Sequence, residues 1–422
     1  MAEGAGMKWE RAGLVGAAIG VVAAGAAAGV AIERATVGRG MRRRAQLALD
    51  AAGPYGSLRG TPGVAVAEDG TELYYEVDEP PPAPEPESPP PPARSARPAN
   101  RGWLRARRAE SDAESGAGPE AEGAPQPPVT VVFSHGYCLN QDSWHFQRAL
   151  LRGAVRAVYW DQRSHGRSER GRDQLAGEPA TIDELGRDLK AVLDAAVPQG
   201  PVVLVGHSMG GMTVMAFADQ FPEYVRERVA GVALISTSAG KLAAVPLGLP
   251  AVGARAFRAL APGMLRVMGR QAELVERGRR ATAELFAGVI KRYSFGSSDV
   301  DPGVARFAER LIEGTPIDVV AEFYPAFTEH EKSEKLAALA GPPALVLAGD
   351  KDLLTPSAHS ADIAEKLPGA ELVVVPGAGH LALLEQPEVV GAALAGLIAK
   401  AADGVRAPVP QRLRDLTATI DA

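Results

Sequence analysis

The sequence is poor in cysteine and has no excess of positive charge. Cys138 is the single cysteine among 422 residues, so an internal disulfide is excluded and no pair of cysteines has metal-ligand spacing. Aspartate and glutamate (51 residues) outnumber lysine and arginine (45 residues), and the formal net charge is −6. A dedicated nucleic-acid-binding protein is usually basic, and we therefore expect no nucleic-acid partner.

Charge is also missing from one long segment near the N-terminus. Residues 12–32 form an uncharged run of 21 residues, rich in alanine and glycine and long enough to span a bilayer. Five arginines follow between positions 34 and 44, which by the positive-inside rule keep the rest of the chain in the cytoplasm. The pattern predicts a membrane anchor with the rest of the chain on the cytoplasmic side. A cleaved signal peptide and a non-inserting leader on a cytoplasmic protein are the alternatives.

A second segment lacks the apolar residues that a core requires. Residues 80–128 contain 14 prolines, and their basic block at 94–108 lies between acidic stretches. Such a composition cannot bury enough apolar surface to offset the entropy of ordering. We expect a disordered insertion there.

Elsewhere apolar residues are abundant, at 46% of the whole chain, and their pattern indicates an α/β fold. Two short strands are predicted at 63–70 and 71–78. Continuous apolar runs, typical of strands buried on both faces of a parallel sheet, follow at 129–137, 155–160, 201–206, 229–236, 343–349 and 371–377. Helical patterns alternate with them at 181–196, 209–221 and 386–400. These features predict a mostly parallel, doubly wound sheet with ligand sites beyond the carboxyl ends of its strands.

One connection is too long to be a simple crossover. Residues 239–335 have the pattern of several helices, one of them capped by Thr315 with Pro316 at its first position. A helical insertion at this end of the sheet predicts a cap over the site. The expected segments are an N-terminal hydrophobic helix with its arginine-rich flank (1–50), the first strands (51–79), the insertion (80–128), core (129–238), cap (239–335), core (336–403) and C-terminal tail (404–422).

A serine stands where the backbone has least room. In "LVGHSMGGM" (204–212), Ser208 follows an apolar strand and precedes a helix, with Gly206 and Gly210 on either side. This G-x-S-x-G pattern is that of a nucleophile elbow, a sharp turn that exposes a serine hydroxyl at a helix N-terminus. We therefore expect Ser208 to be a nucleophile.

An activated serine requires a base and an acid to orient that base. His380 lies in a glycine-containing loop after the last predicted strand, and Asp350 and Asp352 both follow the strand before it. Asp352 lies deeper in its loop and is the preferred acid. The chain order Ser208, Asp352, His380 is the order that this arrangement of strands imposes.

Acyl chemistry also needs donors for a developing oxyanion. The backbone N–H of Met209, directly after the serine, is one candidate. The second is the backbone N–H of Tyr137, in the loop "SHGYCLNQDSW" after the strand that begins near residue 130.

Together these residues resemble the α/β-hydrolase superfamily. "HGY" (135–137), "DQRSHGRS" (161–168), "GHSMGG" (206–211), "GDKDLLTP" (349–356) and "GAGHLALLEQPE" (377–388) are similar to its landmarks and occur in its order. The resemblance covers most of residues 63–400 and implies an α/β-hydrolase fold with a Ser-His-Asp triad. It further implies that the oxyanion donors follow the "HG" pair and the nucleophile. Ser164 departs from the pattern, since many members have glycine there, but that loop is usually structural.

These observations predict a serine hydrolase that cleaves carboxylic esters through an acyl-enzyme. The motif around Ser208 is similar to that of monoacylglycerol lipases and carboxylesterases. The predicted cap and anchor suggest a small-molecule substrate, an apolar acyl ester met near a membrane. No metal or organic cofactor is implied. A peptidase, a perhydrolase and an acyltransferase share the triad, while a ligand-binding protein on the same scaffold and a membrane scaffold remain rival functions.

Overall fold

The computed structural model describes residues 55–81, 127–249 and 283–418, together with four isolated positions between 255 and 263. The segment at 12–32, nearly all of the proline-rich insertion and the middle of the predicted cap lie outside these residues. Among the helices in the described ranges, none is both long and apolar enough to cross a membrane.

A single eight-stranded sheet is the framework of the described residues, in the order β1-β2-β4-β3-β5-β6-β7-β8. β1 and β2 are antiparallel to their neighbours, and the other pairs are parallel. The strands are β1 (Thr61–Val66), β2 (Glu72–Asp78), β3 (Thr130–Ser134), β4 (Arg156–Trp160), β5 (Val202–His207), β6 (Val229–Ile235), β7 (Ala344–Gly349) and β8 (Glu371–Val375). The predicted mostly parallel α/β sheet is confirmed.

Helices cover both faces of this sheet. They are α1 (His145–Leu151), α2 (Arg172–Leu175), α3 (Ile182–Ala196), α4 (Met209–Gln220), α5 (Pro222–Arg228), α6 (Ala283–Ser294), α7 (Pro302–Glu313), α8 (Ile317–Glu329), α9 (Ser357–Lys366), α10 (Ala382–Glu385), α11 (Pro387–Gly404) and α12 (Gln411–Ala418). Short 3-10 turns lie at Gln141–Trp144, Leu242–Ala244 and Ser333–Leu339.

The central strands are apolar throughout because alternate side chains enter two different cores. Val203 and Val205 of β5 belong to the cluster that contains α11, whereas Val202 and Leu204 belong to the cluster that contains α3 and α4. Successive side chains of a strand point to opposite faces, so covering both faces requires apolar residues at every position.

Three helices, α6 to α8, occupy the described end of the predicted cap region. The start of α8 differs from the prediction, because Pro316 is its N-cap and Ile317 its first helical residue. Pro316 has ψ 146°, an extended conformation that excludes it from the helix, and Thr315 therefore does not cap it.

Buried ion pairs tie the N-terminal hairpin to the helices. The Arg163 guanidinium forms two hydrogen bonds of 2.6 Å with Asp188 and also pairs with Glu184 and Asp69. The carboxylates of Asp69, Asp173 and Glu184 lie close enough to share a cation, but Arg163 already supplies positive charge to two of them. This cluster is therefore a structural ion-pair network.

Candidate active site

Ser208 lies at the sharp turn between β5 and α4. Its φ of 53° and ψ of −117° are rarely adopted outside glycine and cost on the order of 1–3 kcal/mol. A Cβ on Gly206 would come within 2.4 Å of the Gly210 carbonyl oxygen, and one on Gly210 within 2.1 Å of the Ser134 carbonyl oxygen. The absence of side chains at these positions lets the strand and the helix cross closely, which presents the serine hydroxyl.

His380 bridges Ser208 and Asp352. Its Nε2 is 2.9 Å from Ser208 Oγ, and its Nδ1 is 2.8 Å from Asp352 Oδ2. An ionised carboxylate can only accept a hydrogen bond, so Nδ1 carries the proton and Nε2 is left to accept one from the serine hydroxyl. The structure thus brings His380 together with Asp352, 28 positions away along the chain, and with Ser208, 172 positions away.

Asp352 is held by its own loop as well as by His380. Its Oδ1 accepts the N–H groups of Leu354 and Thr355 at 2.8 and 2.9 Å, and its Oδ2 accepts the Thr355 hydroxyl at 2.8 Å. Burial raises the pKa of Asp352, but His380 and the Thr355 donors outweigh burial and leave the pKa below its ordinary value. The carboxylate therefore stays ionised and fixed beside the imidazole.

The other acid considered from the sequence, Asp350, is exposed and turns elsewhere. It accepts the Gly377 N–H at 2.7 Å and pairs with Lys351 at 3.3 Å. Of the two aspartates, it is Asp352 that contacts His380.

The two predicted oxyanion donors, Met209 and Tyr137, belong to segments that adjoin Ser208. Met209 is the first residue of α4, where the unpaired N–H groups of a helix favour negative charge. Tyr137 lies in the loop after β3, and the neighbouring Gly136 is so close that an added Cβ would be 3.2 Å from Ser208 Cβ. Within the described residues, neither the Met209 N–H nor the Tyr137 N–H donates to another backbone group.

The side chain of Tyr137 serves a different purpose from its backbone. Its hydroxyl donates to the carbonyl oxygen of Val320 in α8, and its ring packs edge-on against Phe327 with centroids 4.9 Å apart. The loop after β3 is thereby attached to α8.

A buried polar network beneath that loop was not predicted from the sequence. His135 Nδ1 donates to the Gly136 carbonyl at 2.7 Å, and its Nε2 accepts the Gln162 N–H at 2.9 Å. The Gln162 amide donates to the His135 carbonyl at 2.6 Å and accepts the Thr213 hydroxyl at 2.7 Å. Burial, with a smaller contribution from His165, lowers the pKa of His135 to about 3, so the ring stays neutral. The available signal was polar residues directly after the apolar runs of β3 and β4.

His207, the last residue of β5, was also missed. Its Nε2 donates to the His380 carbonyl oxygen at 3.0 Å, and the two ring centroids are 5.0 Å apart. Burial first, and then repulsion from the protonated form of His380, lowers the pKa of His207 to about 3. His207 therefore supports the His380 backbone as a neutral ring.

Ser164, the departure from the family pattern, adopts the conformation for which glycine is favoured, with φ 64°. Its hydroxyl accepts the Gly171 N–H at 3.0 Å, and its own N–H donates to the Glu169 carbonyl at 2.8 Å. These contacts hold the loop in place and do not involve Ser208, His380 or Asp352.

Comparison with known proteins identifies relatives with several activities. The chain is 27% identical over 271 residues to the dihydrolipoyllysine-residue acetyltransferase component of the acetoin cleaving system of Pseudomonas putida. That match covers 64% of this chain and 63% of the relative, so the chain spans less than two thirds of that protein. It is also 29% identical over 266 residues to the monoacylglycerol lipase of Mycolicibacterium smegmatis, covering 62% of this chain and 84% of the lipase.

A solved structure and a family model identify the fold and the family. A thermophilic esterase from Thermogutta terrifontis superposes with a TM-score of 0.55 at 23% identity, covering 81% of this chain and 98% of the esterase, which supports the fold. The family model described as "alpha/beta hydrolase fold" matches residues 129–387, more than half of the chain. The protein therefore belongs to the α/β-hydrolase family and is an enzyme of that family.

Proposed function

We propose that this enzyme cleaves carboxylic esters through a covalent acyl-enzyme on Ser208. The supporting observation is the unbroken hydrogen-bonded chain from Ser208 Oγ through both nitrogens of His380 to Asp352, with links of 2.9 and 2.8 Å. A serine hydroxyl is a weak nucleophile at neutral pH, and a base within hydrogen-bond distance, itself held by a carboxylate, is what activates it.

In the first half of the reaction, Ser208 Oγ attacks the ester carbonyl carbon while His380 Nε2 takes the hydroxyl proton. Asp352 keeps the imidazole in the required tautomer and stabilises its positive charge. His380 then gives the proton to the alcohol oxygen as the carbon–oxygen bond breaks, and the acyl group stays on Ser208.

In the second half, a water molecule replaces the alcohol. His380 Nε2 takes a proton from the water as it attacks the acyl carbon, and returns that proton to Ser208 Oγ as the acid leaves. The catalytic residues end in their starting protonation states.

The N–H groups of Met209 and Tyr137 are proposed to bind the oxyanion in both halves. Met209 is the first residue of α4, and Tyr137 follows Gly136, which is in contact range of Ser208. Within the described residues, neither backbone N–H has a backbone acceptor. A preorganised donor of this kind typically contributes ~10²–10³-fold to the rate.

The proposed substrate is a small ester with an apolar acyl group, as in the carboxylesterase and lipase members to which the serine motif is similar. The monoacylglycerol lipase relative agrees with this class, whereas the acetyltransferase relative points to acyl transfer from the same intermediate. Peptidase and perhydrolase activities would also use this triad. What differs between these reactions is the leaving group and the acceptor of the acyl group.

The test is a matched panel of substrates assayed with the wild-type enzyme and Ser208→Ala. p-Nitrophenyl esters of increasing acyl length should be hydrolysed by the wild type and not by the variant, while p-nitroanilides and thioesters with the same acyl groups should be poorer substrates. Adding an alcohol or hydrogen peroxide then measures partition of the acyl group to acceptors other than water. Preferred cleavage of the anilides, or release of little free acid when an acceptor is present, would contradict the proposal that the enzyme is an esterase.

A further inference from the structure

A carboxylate behind His380 joins two separate loops. Glu385, the last residue of α10, accepts the Gly379 N–H at 2.7 Å and the Gly296 N–H at 3.0 Å through Oε2. Its Oε1 accepts the Ser297 N–H at 2.9 Å. Gly379 directly precedes His380, whereas Gly296 and Ser297 follow the cap helix α6. One side chain thus connects the His380 loop to the base of the cap.

The two loops are in close backbone contact. A Cβ on Gly379 would lie 2.5 Å from Gly296 N, and a Cβ on Gly296 would lie 2.3 Å from the Gly377 carbonyl oxygen. On the other side of His380, the Leu381 N–H donates to the carbonyl oxygen of Ser294 at 2.8 Å. His380 is therefore flanked by two attachments to the same segment, and Glu385 provides the one at residue 379.

We propose that Glu385 is a positioning residue that keeps the His380 imidazole within hydrogen-bond distance of Ser208. This inference rests on the proposed function, because it assigns Glu385 to the same Ser-His-Asp site. Within the described residues, Glu385 contacts neither Ser208 nor Asp352, so it acts through the backbone of residues 379–381. A side chain that joins two backbone segments fixes their separation, and a displacement of about 1 Å in a catalytic site can cost ~10²-fold in rate.

Three substitutions separate reach from charge at this position. Glu385→Gln keeps the length and leaves one oxygen to accept the Gly379 and Gly296 N–H groups, while its NH2 group replaces the acceptor of the exposed Ser297 N–H. Glu385→Asp keeps the charge but is one methylene shorter and cannot reach both loops. Glu385→Ala loses everything. Positioning predicts that Gln resembles wild type and Asp resembles Ala, whereas an electrostatic effect on the imidazolium predicts the reverse.

The experiment measures kcat and KM for p-nitrophenyl acetate in full-length variants that circular dichroism shows to be folded at the assay temperature. Glu385→Ala and Glu385→Asp should lower kcat on the order of 10- to 100-fold with KM changed by less than about twofold, and Glu385→Gln should stay near wild type. Glu388, three residues further on and exposed, provides the matched control: Glu388→Gln and Glu388→Ala should leave kcat unchanged.

A second readout does not depend on turnover. The Nδ1 proton of His380, shared with Asp352, should give a downfield proton NMR resonance, assigned by its disappearance in His380→Gln. That resonance should shift or broaden in Glu385→Ala and persist in Glu385→Gln. An unchanged resonance and an unchanged kcat in folded Glu385→Ala, or activity retained by Asp and lost by Gln, would overturn the proposal. If the wild type hydrolyses no ester, the proposed function fails, and the resonance alone decides the role of Glu385.

Discussion

Two regions at the carboxyl end of the sheet hold a buried histidine in different ways. In the loop after β8, His380 lies between the carboxylate of Asp352 and the hydroxyl of Ser208. In the loop after β3, His135 lies between the Gly136 carbonyl and the Gln162 N–H. In the proposed mechanism the first ring takes the proton of Ser208 and gives it to the leaving alcohol. The second fixes two backbone segments, and with a pKa of about 3 it stays neutral while doing so.

Three other buried histidines resemble His135 rather than His380. His165, His207 and His330 each have one nitrogen on a backbone carbonyl and, within the described residues, a second nitrogen without a hydrogen-bond partner. Burial lowers the pKa of all three, to about 4, 3 and 4 respectively. The hydrogen-bond partners of the ring, rather than its burial, therefore distinguish a candidate base from a structural histidine.

The largest expected effect is the loss of activity when His380 is replaced. His380→Gln removes the base, and we expect kcat for a p-nitrophenyl ester to fall by ~10⁴–10⁶-fold, as for loss of any member that acts as a unit with the nucleophile. Steady-state kinetics of the folded variant measure this. A loss below about tenfold would place the base elsewhere and end the distinction between the two regions.

Asp352→Asn should have the next largest effect, about a 10⁴-fold loss of kcat, because an amide favours the wrong imidazole tautomer and cannot stabilise the imidazolium. The matched control is Asp350→Asn, two residues away, where the side chain is exposed and bonded to Gly377. The kinetics of that variant should equal the wild type. Equal losses in both variants would show that the activity does not depend specifically on the Asp352 carboxylate that contacts His380.

On the structural side, His135→Ala should lower the free energy of unfolding by about 1–3 kcal/mol. It leaves the buried Gly136 carbonyl and Gln162 N–H without partners, and each unmade buried hydrogen bond carries such a cost. Urea denaturation of His135→Ala and of His380→Gln measures the free energy of unfolding of the two variants. The idea is wrong if His135→Ala is as stable as the wild type.

The smallest expected effect is on the pH dependence of the free energy of unfolding. The pKa of His165 is lowered to about 4 in the folded protein, against ~6.5 when unfolded, so between these values the unfolded state binds more protons. The free energy of unfolding therefore decreases as the pH falls through this window, by up to ~1.4 kcal/mol per pH unit for this ring. His165→Gln can still donate to the Arg163 carbonyl but does not titrate, so its slope should be shallower.

The difference between the two slopes is the quantity to measure, because other groups titrate in the same window. Burial raises the pKa of Asp161 to about 6. Protonation of this carboxyl below that pH stabilises the folded state and therefore opposes the destabilising effect of the buried histidines. Equal slopes for wild type and His165→Gln in urea denaturation from pH 7 to 4 would contradict the assignment of His165 as a neutral buried ring.

Much of the fold could be predicted because the central strands are buried on both faces. The apolar run 201–206 corresponds to β5 at Val202–His207, and the helical pattern 181–196 to α3 at Ile182–Ala196. The start of α8 could not, since Thr315 and Pro316 fit a capping pattern, whereas the extended Pro316 itself becomes the cap. Helix ends depend on a single backbone angle, which composition does not determine.

The candidate site divides in the same way. Ser208, Asp352 and His380 follow strands in a fixed order, so their order along the chain predicts that they meet. The roles of His207, Gln162 and Glu385 depend on backbone groups brought from distant loops, and no local pattern encodes those partners. Sequence reasoning therefore reaches the residues that stand at strand ends and misses those that hold the loops.

We propose Ser208 as an activated nucleophile, and fluorophosphonate labelling is the experiment that probes this role. The full-length protein is treated with the probe, and mass spectrometry of its peptides locates the adduct, with Ser208→Ala and Asp350→Asn treated in parallel. We predict one adduct, on Ser208, present in the wild type and in Asp350→Asn and absent from Ser208→Ala. An adduct on another residue, or none in protein shown to be folded, would contradict the account.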